Sequence, residues 1–323
     1  MRIYWEVVKI FEGKLVMYIY AETPIHPGSG TMISEAVDLP IQREKHTDFP
    51  IIQAPSLKGV LRNSACFIEI DDKCKKCDKK SKVDECEILN QIFGNPEGIG
   101  GVSITDARIL AFPVRTLKGV FGWITCPLVL DRYKRDLNLA GIKIDWSTQK
   151  LTNVEEAKVC KNSNLMEKEY IYIEDLQLKC SKDDEDVNKI AQEIVKALPD
   201  GDTYKEIKEK LKKDLVIVSD EVFADFVSLT TEVITRIRIS SKTGTVERES
   251  GGLWSEEYLP TDTLMYSLIL IPSRLNSFKL EEIQSRIMRC DEKILQIGGD
   301  ETIGKGFVRI KLVKGEHIDV KKP

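Results

Sequence analysis

The chain has no long apolar run, few histidines, and no excess of basic charge. No apolar stretch approaches the roughly 20 residues of a membrane-spanning helix. The first residues, MRIYWEVVKIFEGK, also lack the continuous apolar stretch of a signal peptide. We therefore expect a cytoplasmic protein with no membrane partner. The formal net charge is −4 and only 3 residues are histidine, so any nucleic-acid surface has to be a local basic patch.

The composition is that of an ordinary globular protein. Hydrophobic residues make up 42% and charged residues 31% of the 323 positions, which supplies ample material for a core. No short-period repeat is visible. We therefore treat residues 1–323 as a single module.

Eight cysteines are present, and half of them cluster in one segment. Cys66, Cys74, Cys77 and Cys86 include one CKKC pair, the spacing at which two thiolates bind tetrahedral zinc. This Cys-rich excursion, residues 71–90, holds either a structural zinc ion or reduced thiols in a lysine-rich loop. The remaining cysteines are expected to be buried or incidental: Cys126, Cys160, Cys180 and Cys290.

Strand and helix patterns alternate along the chain. Residues Lys14 to Thr23 alternate in polarity and predict a strand. Ser56 and Ser219 stand where helix N-caps are expected, and Pro127 can open a third helix. The other predicted strands are GGVSITDARILAFPV, VFGWITCPL, YIYIEDLQL, TEVITRIRIS, TLMYSLILI and GFVRIKLV. The other predicted helices are DDEDVNKIAQEIVKALP and KLEEIQSRIMRCDEKILQI.

This order predicts an α+β fold built on a ferredoxin-like βαββαβ core. Residues 141–215 are irregular and are predicted to be an inserted lobe. Residues 230–258 contain the turn SKTGTVERE between two strand patterns, which predicts a β-hairpin with basic flanks.

A long polar loop joins the first strand to the first helix. Residues 24–55 contain His26, the sequence HPGSG, Asp38, Arg43 and a second histidine. Structureless connections of this length are usually functional or disordered. We interpret the segment as a binding loop, and a surface loop that merely connects two elements is the alternative.

A second glycine-rich stretch, GGDETIGKGFVRI, precedes the last strand. Gly298, Gly299, Gly304 and Gly306 allow backbone N–H groups to approach a phosphate, and Lys305 adds a positive charge. The stretch follows a helix and opens a strand, so it is neither a dinucleotide fingerprint nor a P-loop. Plain turn chemistry is the alternative.

Taken together, these stretches resemble the RAMP superfamily of CRISPR RNA-binding proteins. Within it the chain is most similar to the family of backbone ribonuclease subunits of type III-B (Cmr) effector complexes, the fourth Cmr subunit. The similarity runs from the first strand to the last and is weakest in the Cys-rich excursion and in residues 141–215. It is carried by TPIHPGSG, DLPIQRE, APSLKGVLR, ITDARILAFPVRTLKGVFGWITCPLVLDR, LWSEEYLP and GGDETIGKGF.

The resemblance implies an RRM-like palm with a thumb-like hairpin, and an RNA-guided endoribonuclease that cuts complementary target RNA at regular intervals. The implied cofactor is Mg or Mn. The implied partners are the CRISPR guide RNA, the target RNA, copies of the same chain in a helical filament, and the other Cmr subunits.

The resemblance also assigns catalytic roles. Asp38 matches the acidic residue required for cleavage, where a carboxylate can hold a divalent ion or accept a proton from a 2′-hydroxyl. His26 matches a histidine of the same chemistry or of RNA placement, and Glu256 and Tyr258 match supporting residues. The alternatives are an Asx-turn at Asp38, a structural histidine at His26, and a solvated Glu256 beside a core Tyr258.

Further residues are predicted to contact RNA. Lys58 matches a guide contact, and Arg62, one helical turn away, extends it geometrically. Arg43 continues the basic stripe. On the hairpin, Arg236, Arg238 and Lys242 surround the turn, which in the family displaces a base pair of the guide–target duplex; an ordinary exposed hairpin is the alternative.

Three hypotheses follow. The first is a guide-directed endoribonuclease with Asp38 at its centre, and the second is a noncatalytic RNA-binding scaffold of the same architecture. The third is a zinc-stabilised metabolic enzyme using His26 and Asp38, but the sequence contains no cofactor motif to support it.

Overall fold

A computed structural model describes residues 11–30, 37–67, 87–148, 150–151, 153–181, 185–246, 252–272, 274–275 and 278–315. In these segments the α-helices are α1 (Ala54–Phe67), α2 (Glu87–Phe93), α3 (Pro127–Ala140), α4 (Glu185–Val195), α5 (Lys205–Asp214), α6 (Asp220–Leu229) and α7 (Leu280–Met288). Short 3₁₀ turns occur at Asp202–Tyr204 and Glu301–Ile303.

The strands, in chain order, are β1 (Phe11–Ala21), β2 (Ile51–Ile52), β3 (Gly94–Asn95), β4 (Gly98–Ile99), β5 (Ser103–Ile104), β6 (Ala107–Arg115), β7 (Phe121–Thr125), β8 (Glu156–Val159), β9 (Met166–Glu167), β10 (Tyr170–Ile173), β11 (Leu176–Ser181), β12 (Leu215–Ile217), β13 (Glu232–Ile237), β14 (Leu253–Tyr258), β15 (Leu264–Pro272), β16 (Arg274–Leu275), β17 (Phe278–Lys279), β18 (Ile294–Gln296) and β19 (Phe307–Lys314).

One large mixed sheet organises the chain. Its strands run in the order β18-β19-β1-β15-β6-β7-β12-β8-β11-β10-β9. The central strand β1 pairs antiparallel with β15 on one side and with β19 on the other, so that Tyr18 lies opposite both Tyr266 and Lys311. Because β1 is covered on both faces, residues Leu15 to Ala21 are almost fully buried.

Helix α3 seals one face of the sheet. Pro127 begins this helix, as the sequence predicts, and Gly141 ends it in the left-handed conformation. Tyr133 of this helix is fully buried, and its hydroxyl lies 2.7 Å from that of Tyr18 on β1. A buried hydroxyl needs such a partner, so the pair fixes how α3 sits on the sheet.

Strands of the predicted inserted lobe, residues 141–215, extend this same sheet. Strand β12 pairs parallel with β7, and β8 pairs antiparallel with β12. The segment YIYIEDLQL was predicted to be one strand, but it forms the hairpin β10–β11, with a left-handed residue at Glu174.

Two other local predictions are corrected. Helix α1 begins at Ala54, and the Ala54 N–H donates to the carboxylate of Asp106 at 2.8 Å. Ser56 therefore lies inside the helix. The carboxylate of Asp106, from another segment, takes the place of the predicted serine cap. The last predicted helix ends at Met288, and Ile294–Gln296 forms strand β18 beside β19. The predicted cap at Ser219 is confirmed, since its hydroxyl accepts the Val222 N–H at 3.2 Å.

The hairpin predicted at residues 230–258 forms a separate two-stranded sheet. Strand β13 pairs with β14, and Thr235 lies opposite Ser255. An isolated bridge between Ile239 and Val246 continues the pairing. In the described segments, no helix combines the length and the apolar character needed to cross a membrane.

Candidate functional site

Strand β14 holds the long polar loop along one of its edges. Its other edge is paired with β13, which leaves the N–H and C=O groups of Ser255 and Glu257 for the loop. The Leu39 N–H donates to Ser255 O at 3.0 Å, and the Glu257 N–H donates to Leu39 O at 3.0 Å. His26 and Asp38 are bound to the same edge. The two proposed catalytic residues are thus positioned by one strand, two residues apart along it.

Asp38 is an exposed carboxylate that is anchored through one oxygen. Its Oδ2 accepts two hydrogen bonds from Ser255, one from the backbone N–H and one from the hydroxyl, each 2.8 Å long. These bonds hold the pKa of Asp38 below its ordinary value. Within the described segments Oδ1 has no hydrogen-bond partner. The site therefore presents a negatively charged oxygen that can bind a cation.

His26 is half-buried and its tautomer is fixed by one contact. Its Nδ1 lies 2.6 Å from the carbonyl oxygen of Glu257. A carbonyl only accepts, so Nδ1 carries the hydrogen and the neutral ring keeps a lone pair on Nε2. The ring lies 5.5 Å from that of Tyr258, which limits its rotation. The geometry suits a proton acceptor of fixed orientation.

Glu257, which the sequence analysis did not single out, holds the loop through the hydrogen bonds of its carboxylate. Its buried carboxylate accepts the Ile41 N–H at 3.0 Å, the Arg43 guanidinium at 2.5 Å and the Thr231 hydroxyl at 2.8 Å. Arg43 also donates to the carbonyls of Asp48 and Val227. The structure places Arg43 inside the loop, with only 16% of its side chain exposed.

The opposite face of β14 carries a second network. The carboxylate of the buried Glu256 accepts from the Arg236 guanidinium, from the Tyr258 hydroxyl and, at 2.6 Å, from the Trp254 indole. Burial opposes ionisation of Glu256, but these three hydrogen bonds outweigh it and lower its pKa. The alternative of a solvated Glu256 is therefore wrong, and Arg236 is committed to this network.

The glycine-rich loop contacts the segment around His26 through its own backbone. A Cβ on Gly298, whose φ is +87°, would lie 2.3 Å from the His26 carbonyl oxygen. The Gly299 N–H donates to that oxygen at 3.0 Å, and the Gly306 N–H donates to Pro24 O at 2.8 Å. Only glycine permits this approach. The two stretches that the sequence analysis combined are therefore in direct contact.

Asp300, in the same loop, reaches the hairpin. Its Oδ2 lies 2.6 Å from the Tyr258 hydroxyl, and Lys305 Nζ lies 4.9 Å from the centre of the Tyr258 ring. Burial, followed by the hydrogen bond to Asp300, raises the pKa of Tyr258. Gly304 has φ of +81° and ends the short 3₁₀ turn of this loop.

The other predicted RNA contacts lie apart from this cluster. Lys58 Nζ donates to Val102 O at 2.9 Å, and burial lowers its pKa. Arg62 donates to Asn90 Oδ1 at 2.8 Å and so joins α1 to α2. Arg238 and Lys242 are exposed on the hairpin. No contact among the described residues joins these four side chains to Asp38 or His26.

The zinc prediction remains a prediction. Cys74, Cys77, Cys86 and the side chain of Cys66 lie outside the described residues. In the described segments, no group of three or more potential ligands is close enough to hold a metal ion. Elemental analysis of the purified protein tests the zinc site. The other four cysteines are buried, as expected.

Ser255, Glu257 and Asp300 are thus the residues that sequence reasoning missed. Strand alternation in LWSEEY could have separated Ser255 and Glu257 from Glu256 and Tyr258. Asp300 stands in the glycine-rich stretch and its acidic character was visible. Its partner on the hairpin, Tyr258, could not be recognised from the sequence.

The fold and this arrangement of loops match one family over most of the chain. The RAMP superfamily matches residues 18–309, and the chain belongs to that superfamily. A curated relative, the CRISPR system Cmr endoribonuclease Cmr4 of Pyrococcus furiosus, is 44% identical over 299 residues, which are 91% of this chain and 94% of the relative.

Solved structures show the same similarity. The crystal structure of oligomeric Cmr4 from Pyrococcus furiosus has a TM-score of 0.72 and 36% identity, and covers 94% of this chain and 99% of that one. A chain of the type III-B Cmr-beta complex bound to cognate target RNA has a TM-score of 0.68 over 94% of this chain and 98% of that one. At 23% identity, this second similarity shows the fold alone.

Proposed function

We propose that the protein is the guide-RNA-binding backbone subunit of a type III-B CRISPR effector complex and an RNA-guided endoribonuclease. It cuts complementary target RNA at regular intervals. The observation that carries this proposal is the joint attachment of Asp38 and His26 to one edge of β14. The 44% identity to a protein named as a Cmr endoribonuclease supports it.

We also infer that the centre of the sheet is a ferredoxin-like palm. The strand order β19-β1-β15-β6 is antiparallel throughout, and helices α1 and α7 follow β1 and β15 in the chain. This is the βαββαβ order of that motif. The hairpin β13–β14 corresponds to the thumb-like hairpin that the resemblance implies.

The catalytic roles divide according to protonation. Asp38 is exposed and ionised at neutral pH, and its lowered pKa makes it a weaker proton acceptor while it remains a good cation ligand. In the neutral ring of His26 the lone pair lies on Nε2, and we infer that this nitrogen accepts the proton of the attacking 2′-hydroxyl. That oxygen bonds to the adjacent phosphorus while the bond from phosphorus to the 5′-oxygen breaks, and the departing 5′-oxygen takes a proton from water. Glu256 and Tyr258 support the reaction by holding β14 and the ring of His26.

A divalent ion, Mg or Mn, fits the chemistry of Asp38. Among the described residues Oδ1 of Asp38 is its one open carboxylate oxygen, and Mg²⁺ commonly takes one or two carboxylates together with water and phosphate oxygens. When bound there, the ion supplies positive charge beside the scissile phosphate.

Guide RNA lies along the glycine-rich loop. Three of its glycines use their N–H groups within the protein, since Gly299 donates to His26 O, Gly304 to Glu301 O and Gly306 to Pro24 O. The loop therefore binds phosphates through the charge of Lys305 and through the close approach that Gly298, Gly299, Gly304 and Gly306 allow. Lys58, Arg62, Arg238 and Lys242 extend the contact. Arg43 and Arg236 support it indirectly, because they hold the loop and the hairpin. Base pairing with the guide then selects the target sequence, while the protein contacts the backbone of the RNA.

Copies of the chain associate head to tail along one guide, together with other Cmr subunits. The oligomeric crystal structure of a relative with 36% identity supports self-association. An unclosed head-to-tail contact generates a helical filament.

The test compares Asp38→Asn with a matched control, Asp48→Asn, in the same loop. Complexes assembled on a guide are incubated with complementary RNA and Mg²⁺ or Mn²⁺. We expect Asp38→Asn to bind both RNAs and lose cleavage, whereas Asp48→Asn cleaves normally. Unchanged cleavage by Asp38→Asn would exclude its catalytic role. A wild-type complex that binds target without cutting would favour the scaffold hypothesis.

A further inference from the structure

Asp300 is the only described side chain of the glycine-rich loop 298–306 whose carboxylate hydrogen-bonds to the hairpin. It adopts the left-handed conformation, with φ of +65°, and its carbonyl accepts the N–H groups of Ile303 and Lys305, each at 3.1 Å. The turn of the loop therefore sets the direction of its side chain. Any movement of the loop moves the carboxylate that binds the Tyr258 hydroxyl.

The Tyr258 hydroxyl has two competing acceptors. Glu256 Oε2 and Asp300 Oδ2 are both within hydrogen-bond reach, but the hydroxyl carries a single proton. The Arg236 guanidinium donates to the Tyr258 oxygen at 2.6 Å. The position of Asp300 thus decides whether the tyrosine bonds to its own hairpin or to the loop.

Tyr258 connects this choice to the cleavage residues. It is fully buried at the end of β14, so it has little freedom to follow the loop alone. Its ring packs against His26, and β14 carries the groups that bind His26 and Asp38. The loop also reaches His26 through the Gly299 N–H. Two contacts therefore lead from the glycine-rich loop to the same catalytic edge.

We propose that Asp300 is a positioning residue that couples occupancy of the glycine-rich loop by guide RNA to the geometry of Asp38 and His26. This inference rests on the proposed function. A loop seated on guide phosphate holds Asp300 against Tyr258 and keeps β14 in register. Guide binding and cleavage competence are linked in this way, although Asp300 touches neither the target nor the scissile bond.

The test uses three variants in the assembled complex. Asp300→Gly removes the carboxylate without a backbone penalty at positive φ, and Asp300→Asn keeps both an acceptor and this conformation. Glu301→Ala, an exposed acidic neighbour in the same loop, is the control. Guide affinity, single-turnover cleavage at saturating target, and hydrogen exchange of the β14 amides are measured for each.

We expect Asp300→Gly to keep guide affinity and to lower the cleavage rate by about tenfold to a hundredfold, the range expected for a misplaced catalytic group. Asp300→Asn recovers most of the rate, and Glu301→Ala matches wild type. In wild type, guide binding slows exchange at Ser255 and Glu257, and Asp300→Gly abolishes this response.

Two results would overturn the coupling. One is cleavage by Asp300→Gly at the wild-type rate, and the other is a parallel loss of guide affinity and cleavage, which indicates a purely structural role. The exchange measurement needs no cleavage. A wild-type complex that protects β14 on guide binding but never cuts refutes the proposed nuclease while leaving the coupling intact.

Discussion

Three hydrogen bonds join Ser255 to Asp38. Its backbone N–H and its hydroxyl both donate to Asp38 Oδ2 at 2.8 Å, and its hydroxyl oxygen accepts the Asp38 N–H at 3.0 Å. These residues are 217 positions apart in the chain. A strand of the hairpin therefore fixes the orientation of an exposed carboxylate.

Replacing Ser255 by Ala removes the hydroxyl but leaves the backbone N–H. Because the lost bond favours the charged carboxylate, the pKa of Asp38 rises toward its ordinary value. We expect cleavage to fall about two- to tenfold, the usual range for one hydrogen bond. Ser255→Thr keeps the hydroxyl and is the matched control. Equal rates for the Ala and Thr variants would contradict a role for the hydroxyl.

The sign of the pH effect follows from the lowered pKa. The stabilisation from these bonds is present above the ordinary Asp pKa and is lost as pH falls through the lowered folded value. Ser255→Ala moves this loss to higher pH. Titration of the Asp38 carboxyl by NMR measures the shift, and an unchanged or lower pKa in the variant would refute the assignment.

Glu257→Gln tests whether a buried ion pair holds the loop. The side chains of Glu257 and Arg43 are only 7% and 16% exposed, so an unpaired guanidinium in this place is costly. We expect the free energy of unfolding to fall by about 2–4 kcal/mol, somewhat less than for a fully buried pair. Denaturant unfolding measures it.

The double-mutant cycle with Arg43→Gln separates two roles. If the pair is structural, the two single losses are not additive and the double variant is more stable than their sum predicts. If Arg43 instead contacts RNA, Arg43→Gln leaves the unfolding free energy unchanged and lowers guide affinity. The second result would restore the prediction made from sequence.

Local patterns predicted much of the fold but little of the way the site is assembled. Alternation predicted β1, and the apolar run TLMYSLILI predicted β15, because a strand that is covered on both faces is continuously apolar. Ser56 was chosen as a cap because of its residue type, yet Asp106 caps α1 from a distant segment. Asp38 and His26 were found through the family resemblance. Their supports, Ser255 and Glu257, depend on the register of a loop against β14, which no local pattern encodes.

Gly298→Ala tests the contact between the glycine-rich loop and His26. The new Cβ would lie 2.3 Å from the His26 carbonyl oxygen, so one of the two backbones must move. We expect stability to fall by about 1–3 kcal/mol, and the fall has two causes: overpacking and positive φ. Guide affinity and cleavage fall with it, and both are measured on the assembled complex.

Gly304→Ala is the control for backbone strain. Its φ of +81° is similar, but a Cβ there meets no atom within 4 Å. It therefore carries the conformational penalty without the clash. If the two variants lose equal stability and activity, the approach to His26 has no role.

The exposed apolar face of the hairpin provides the last prediction. Ile237 and Leu253 are paired across β13 and β14 and are 51% and 65% exposed. Alternation places them on the same face of the hairpin as Ser255, whose hydroxyl donates to Asp38. Such side chains can separate stacked bases, at a cost of a few kcal/mol that is smallest where the base is already unpaired. We expect the double variant Ile237→Ser, Leu253→Ser to cleave a fully paired target about tenfold more slowly or slower still, because it lacks the apolar side chains that would separate the stacked bases.

A target that is unpaired at the cleavage position should restore the rate of this double variant, since no base pair then has to be opened. Ile294→Ser, which alters an equally exposed apolar residue on β18, is the control and should cleave normally. Single-turnover cleavage of both targets decides the matter. If the double variant is equally slow on the unpaired target, the apolar pair acts in RNA binding or folding. If it is as fast as wild type on the paired target, the hairpin does not open the duplex through these side chains.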